Sequence, residues 1–569
     1  MRLYVSLFLV GLFSNAPMEA GQSLRLSVYA TAGGIHRYLG TEAERRKVMV
    51  ALRRLGISRI FLEGRRGEEY VSPEQLRELA EFFRREGIEA SGGIATVPGR
   101  SFGVRQNGGL SWLNFQAEQT QRDIAAFFRD NAPVFEELIV DDFYCTADTS
   151  PESEKARAGR NWPEYRQQLL ASLVEPMMLT PARAARPGVR VIIKYPQWYD
   201  RFHLFGYSPE RLSPAFDAVW VGTEVRNPET RRMGYVQPTE GYVNFRWLRA
   251  VAGAKVRGAW FDHIECTARN FLDQAYQSVL AGAGELTLFH LGDIVEGHPG
   301  DALLAQSLPE LRALAAKLVG REPQGVAFYK PAGSDGEENT YLMDYLGMLG
   351  IPLVPAAQYP GRARVAVLAA QAAADPELQL RIGRHLAAGA RLFLTPALLR
   401  RVPALGEAAG VAVSRRVEPG LAREARIGTR LLTLATPLEV DMGLKADKAA
   451  ILLSVRADGR WVPLLTRRGT VYVWNVRTFA EQDFHQVGEW LLAPKPLGLV
   501  RMPHALVNAL RGHILAPLGV SLQAPARVAF CDFEGFRCLY NFTDAKVTAR
   551  LNGKSVELEA NRLWCNEPL

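Results

Sequence analysis

Several short apolar runs end in ionisable residues. The stretch LIVDDFYCT, Leu138 to Thr146, puts two carboxylates, Asp141 and Asp142, directly after a strand-like run, with Tyr144 just beyond. Lys194, Tyr195, Trp198 and Tyr199 follow VRVII; Glu224 and Arg226 follow FDAVWVG; Asp262, His263 and Glu265 follow VRGAWF; His290 and Asp293 follow ELTLF. Adjacent like charges at a strand end are costly unless water, a proton or a partner relieves them. Their proximity raises one pKa, which suits a proton donor. Two carboxyl groups are the minimum for cleaving a glycosidic bond: one protonates the leaving oxygen and the other attacks or activates water. Aromatic rings pack on the apolar faces of pyranoses, and Asp, Glu, Lys, His and Arg bond their hydroxyls. The candidate catalytic set is therefore Asp141, Asp142, Glu224 and Asp262. The candidate substrate-binding set is Lys194, Tyr195, Trp198, Tyr144, His263, Arg226, Glu265 and His290.

Blander roles stand beside these. The aspartate pair also suits a helix N-cap or an ion pair with Lys194. Lys194 suits a Schiff-base lysine, as in aldolases, or a charge-paired binder of hydroxyls. Trp198 and Tyr199 suit an apolar core, Asp262 with His263 suits a supporting pair, and Cys145 and Cys266 suit buried small residues. Side-chain alternation sends Asp141 and Asp142 in different directions unless the strand has already turned.

These clusters need a scaffold that gathers strand ends. From about residue 24 to 320, eight short, nearly continuously apolar strand patterns alternate with eight helical ones, the count for a (β/α)8 barrel. The helices carry readable signals, such as Ser72 as N-cap, Pro73 at the first helical position and Gly87 at the close. No GxGxxG opens the first helix, which counts against a dinucleotide-binding sheet. In a barrel, active sites lie at the C-terminal ends of the strands, where all of the clusters fall. After residue 320 the rhythm becomes a compact βα alternation, a small doubly wound domain over about 321–494. Residues 495–569 read as a small antiparallel β-sandwich, with Asn552-Gly553 as a hairpin turn. The first 20 residues, MRLYVSLFLVGLFSNAPMEA, read as a secretory signal, which predicts a secreted or periplasmic protein.

Composition is that of an ordinary globular chain: 569 residues, 48% hydrophobic and 22% charged. A net charge of +8 with scattered basic residues gives no nucleic-acid footprint, although a mildly basic surface suits an acidic polymer. No CxxC, HExxH or P-loop occurs, so neither metal nor cofactor is expected. No run is long enough to span a membrane. Five cysteines make no disulfide framework, though Cys531 and Cys538 suit pairing on adjacent strands.

The order of barrel, small βα domain and short β-sandwich resembles the glycoside hydrolase family 42 β-galactosidases, and the stretch VNALRGHILAPLGVSL…GFRCLYNFTDAKVTARLNG is similar to their tails. The resemblance implies an amidotransferase-like middle domain used in trimerisation. That family carries an Asn-Glu pair after strand four and a catalytic Glu after strand seven. Here strand four ends in Asp141-Asp142, and strand seven offers Asp262 and Glu265. An adjacent aspartate pair is also similar to substrate-assisted N-acetylhexosaminidases, where one Asp orients the acetamido group and the other is the acid. The expectation is a secreted glycoside hydrolase acting on a carbohydrate oligomer or polymer and forming a homo-oligomer, a dimer or trimer. The alternatives are a substrate-assisted hexosaminidase, a Lys194-dependent lyase or aldolase, and a non-catalytic carbohydrate-binding protein.

Overall fold

The computed structural model describes residues 24–230, 234–487 and 491–569. The signal-like segment lies outside the described residues. Eight parallel strands form a closed barrel: β1 (Arg25–Ala30), β2 (Arg59–Arg66), β3 (Glu89–Ala95), β4 (Glu137–Val140), β5 (Arg190–Tyr195), β6 (Ala218–Gly222), β7 (Val256–Asp262) and β8 (Glu285–Phe289). Strand β1 pairs with β2 on one side and β8 on the other, which closes the ring. The alternation read from the sequence is thus a (β/α)8 barrel.

Strand periodicity sorts side chains between the barrel interior and the helical layer. At the bottom of the interior, the buried Arg59 guanidinium donates to Ser91 at 2.8 Å and pairs with Glu137 and Glu285. One layer up, Tyr29, Phe61, Ile139, Ile192, Ala218, Trp220 and Trp260 pack as one apolar cluster, with Phe289 at its edge. Trp220 Nε1 donates to Thr287 at 2.9 Å, which satisfies the indole inside the barrel. The next inward step on β4, β5 and β7 is Asp141, Lys194 and Asp262. A solid aromatic floor therefore lies under a charged top layer.

Glycines on two of the strands make room for close packing on the sheet faces. On β3, a side chain at Gly93 would meet the Tyr29 ring at 2.9 Å, and one at Gly92 would meet Phe135 on the opposite face at 2.4 Å. On β7, a Cβ at Gly258 would sit 2.1 Å from the Trp220 indole.

Residues 326–474 hold a parallel sheet in spatial order Leu353–Ala356, Val326–Tyr329, Val365–Leu368, Arg391–Leu394 and Val471–Trp474. Four antiparallel strands between Pro419 and Arg468 are inserted before its last strand and extend the same sheet. The doubly wound expectation thus describes the first half of this sheet, and the second half is an antiparallel arm. The C-terminal part is two three-stranded antiparallel sheets. Asn552 and Gly553, with φ of 51° and 81°, make the hairpin turn between Val547–Leu551 and Lys554–Leu558. Register sets Cys538 opposite both Cys531 and Cys565, and its sulfur lies nearer Cys565, at 2.7 Å. The expected Cys531–Cys538 pairing is not present; all five cysteines are free thiols.

Replacing Gly258 with Ala should force the Trp220 ring off its site and cost about 1–3 kcal/mol, as overpacked cores do. Thermal melts and near-ultraviolet circular dichroism would show it. An unchanged midpoint and aromatic spectrum would mean that the interior has slack the geometry denies.

Candidate active site

Each strand end contributes according to its parity. Lys194 continues the inward series from Ile192, Asp141 from Ile139, Asp262 from Trp260, and Glu63 from Phe61. On β2 a bulge at Gly64, where the β2–β3 register shifts between Glu63 and Arg65, reverses the alternation. Arg66 then reaches the site, while Arg65 turns away to Ser101 at 2.9 Å and lies over the rings of Tyr70 and Phe102.

The centre is Lys194, whose side chain is 2% exposed. Its Nζ lies 2.5 Å from Asp142 Oδ2, 2.8 Å from Glu224 Oε1 and 3.6 Å from Asp141 Oδ1, and 4.7 Å above the Trp260 ring. Asp141 also accepts from Arg66 Nη2 at 2.6 Å and from the Asp142 amide at 2.8 Å. Arg66 in turn donates to Glu63, which accepts from Tyr29 Oη at 2.6 Å and the Ala32 amide at 2.8 Å. On the other side, Arg226 grips Asp262 in a two-pronged pair, with Nε to Oδ1 at 3.0 Å. Carboxylates and cations thus alternate around the mouth.

Burial is the largest influence on Asp141, Asp142, Glu224 and Lys194, and its sign differs with the charge. It pushes Asp142 up; Lys194 opposes it, Asp141 and Glu224 add to it, and the pKa settles at about 7. For Asp141, Lys194, Arg66 and the Asp142 amide outweigh burial and hold the carboxyl below its ordinary range. Glu224 is raised, chiefly by burial, with Lys194 opposing. Burial would strip the proton from Lys194, but Asp142, Glu224 and Asp141 together keep it firmly protonated. A Schiff-base lysine must present a neutral amine, and the three carboxylates around Lys194 oppose that form.

Asp141, Asp142, Glu224 and Lys194 meet in one cluster, and Arg226 with Asp262 stands beside it. Of the four expected carboxylates, Asp142 is the one with appreciable exposure, 18% of its side chain. It is turned inward because β4 ends at Val140 and the chain has already left strand geometry. Asp141 and Asp262 are fully engaged: Asp262 Oδ1 also accepts from the Ile264 amide at 3.0 Å.

Four expected binding residues lie elsewhere. Tyr195 is one step out of phase with Lys194, so it points into the helical layer, where its hydroxyl meets Ser213 Oγ at 3.0 Å. His263 is one step out of phase with Asp262; it is buried against the Phe271 ring and bonded to Asp301 at 2.8 Å. Tyr144 is buried and donates to the Leu170 carbonyl at 2.6 Å. Trp198 is packed among Trp112, Phe202, Phe205 and Tyr207 and is 5% exposed. All four are bonded or packed within the framework, away from the Lys194 cluster. Glu265 stands in the turn after β7 with φ of 55°, and His290 is partly exposed beside Asp293 at 3.7 Å. The sequence reading missed Glu63, Arg66 and Tyr29 as members of the charged network. Among the described residues no group of His, Cys, Asp and Glu is arranged to hold a metal, and no helix is long and apolar enough to cross a membrane.

The pKa directions give opposite stability signatures. Asp142 is raised from 3.8 to about 7, so its contribution is full below pH about 4 and lost as pH rises through 7. Asp141 is lowered, so its contribution is present above its ordinary range and lost on acidification. Asp142→Asn should therefore gain on the parent in thermal midpoint between pH 5 and pH 8. Asp141→Asn should cost about 3–5 kcal/mol at neutral pH, because it strands Arg66 and weakens the hold on Lys194. Melts of both variants that track each other across this range would contradict the assignment.

The comparisons agree with this architecture. A curated relative, an uncharacterized protein of Saccharolobus solfataricus, is 25% identical over 371 residues, which is 58% of this chain and 60% of that protein's length. Among solved structures, a family 42 β-galactosidase of G. stearothermophilus, Gan42B, superposes with a TM-score of 0.65 at 10% identity over 97% of this chain and 99% of its own. The α-L-fucosidase isoenzyme 2 of Paenibacillus thiaminolyticus gives 0.64 at 11% identity over 95% and 91%. At such identities the likeness is one of fold. The family described as "Probable glycosyl hydrolase, catalytic domain" matches residues 14–302, more than half of the sequence, and the chain belongs to that family.

Proposed function

We propose that the protein cleaves O-glycosidic bonds in an oligo- or polysaccharide by double displacement, with Asp142 as proton donor and Glu224 as the facing carboxylate. The observation that carries this reading is the shared ammonium. Contacts of 2.5 and 2.8 Å to one nitrogen keep those two carboxylate oxygens within about 5 Å of each other. That upper limit accommodates the roughly 5–5.5 Å of retaining enzymes and is short of the roughly 6.5–9.5 Å that inversion needs for its water. Asp142 has the accessibility and the raised pKa of an acid that is protonated near neutrality. Lys194, bonded to Glu224 at 2.8 Å, opposes the burial that raises the Glu224 carboxyl. The substrate-assisted alternative would give Asp141 to an acetamido group, but its oxygens already hold Arg66 and the Asp142 amide.

A screen of nitrophenyl glycosides would identify the sugar. Asp142→Asn should lower turnover about a hundred- to ten-thousand-fold on substrates with poor leaving groups, and less on activated aryl glycosides. Activity of the parent should fall as pH rises through about 7, where Asp142 loses its proton. Proton NMR should show the retained anomer as first product. An inverted anomer, or parent-like turnover in Glu224→Gln, would refute the pairing.

We also infer export, on the signal-like first 20 residues, and self-association through the antiparallel arm. On that arm the apolar side chains Leu421, Leu431, Ile451 and Trp461 remain 37–57% exposed. Light scattering should give a multiple of the chain mass, reduced to one chain by Leu431→Asp with Ile451→Asp. A monomeric parent would dispose of the idea.

A further inference from the structure

The barrel mouth is not held by the barrel alone. The loop after β5, residues 196–207, touches both proposed working carboxylates through their backbones. Tyr207 Oη donates to the Asp142 carbonyl at 2.7 Å, and Gln197 Nε2 donates to the Glu224 carbonyl at 3.4 Å. The same loop is packed from within by Trp198, whose ring lies 5.4 Å from that of Tyr207.

The other side of this loop, the helical turn Tyr199–Phe205, is gripped by the middle domain. Asp200, fully buried, pairs with the buried Lys330 at 2.8 Å. It also accepts from the Tyr341 amide at 2.7 Å and from Gln371 Nε2 at 3.1 Å. Tyr199 Oη donates to Asp344 at 2.8 Å, and Arg201 pairs with Glu481 at 2.6 Å and lies 3.9 Å over the Phe484 ring. Lys330 directly follows the first strand of the middle domain's parallel sheet, and Gln371 lies just past the end of the third. In open α/β sheets the crevice at those strand ends is where ligands bind. Here a carboxylate of the barrel loop, Asp200, occupies it.

We propose that the middle domain is a positioning part of the catalytic centre: it binds Asp200 in its own crevice and thereby fixes the loop that sets the Asp142 and Glu224 backbones. Asp200, Lys330 and Tyr207 are positioning residues in this scheme. The proposal rests on the reading of Asp142 as proton donor. The domain does two things with one contact. It buries an ion pair that would be poorly stabilising by itself, and it spends that specificity on loop geometry. A displacement of about 1 Å at a reacting group costs on the order of a hundredfold in rate, so a remote contact of this kind has catalytic reach.

The test uses the full chain and the nitrophenyl glycoside that the parent hydrolyses fastest. Tyr207→Phe deletes one hydroxyl, Asp200→Asn deletes one charge while leaving an acceptor for the Tyr341 amide, and Lys330→Met strands the Asp200 anion. In folded protein, judged by near-ultraviolet circular dichroism, Tyr207→Phe and Asp200→Asn should lower kcat by about tenfold or more with KM within about twofold. They should also move the alkaline limb of the pH profile. Lys330→Arg should recover most of the activity that Lys330→Met loses. Parent-like kcat and pH profile in folded Tyr207→Phe and Asp200→Asn, beside an inactive Asp142→Asn, would overturn the clamp alone. Parent-like turnover in Asp142→Asn would overturn the proton-donor reading and the clamp's purpose with it.

Discussion

One buried ammonium orders the mouth of this barrel. Lys194 sits where the aromatic interior ends, over the Trp260 ring, and three carboxylates from two other strand ends converge on it. Without the cation, Asp141, Asp142 and Glu224 could not all stay close in a dry site, because each would take up a proton or move apart. With it, one carboxyl is depressed and its sequence neighbour is raised. Arg66 is the second condition. It holds Asp141 from the far side, so Lys194 is free to lie closer to Asp142 and Glu224.

Much of this was legible in the sequence, because barrel strands obey a period of two and a barrel collects its strand ends on one face. Asp141, Lys194, Glu224 and Asp262 were all found from apolar runs that end in charge. Of the four residues placed elsewhere, two were errors of phase. Tyr195 and His263 each follow an inward residue by one position, so the rule that places Lys194 and Asp262 in the site excludes them. Asp142 escapes the rule because β4 stops at Val140, a boundary the sequence does not mark. Arg66 escapes it through the bulge at Gly64. A glycine inside a strand is the one local signal that could have warned of that reversal.

What the sequence could not show is contact between distant segments. Nothing in the sequence singles out Asp200 or Lys330, and their pairing across 130 positions depends on how two domains meet. Asn541 shows the same limit in another form. Its Asn-Phe-Thr triplet reads as a glycosylation acceptor, but the side chain is buried and donates to the Ala545, Leu558 and Glu559 carbonyls, so it pins a turn and has no donor to spare for a glycan.

Local charge at the mouth also runs against the global balance. The whole chain carries +8, which suits an acidic polymer on the outer surface. At the mouth, Glu63, Asp141, Asp142, Glu224 and Asp262 face only Arg66, Lys194 and Arg226, and the cations are already committed to protein carboxylates. The field inside the mouth is set by that inner balance, since charges beyond about a Debye length are screened and buried ones are not. An acidic group entering the mouth would have to compete with existing carboxylates for each cation, whereas a neutral hydroxyl would leave the charge count unchanged. The surface charge therefore bears on what the protein approaches, and the alternating ring at the strand ends bears on what it can hold.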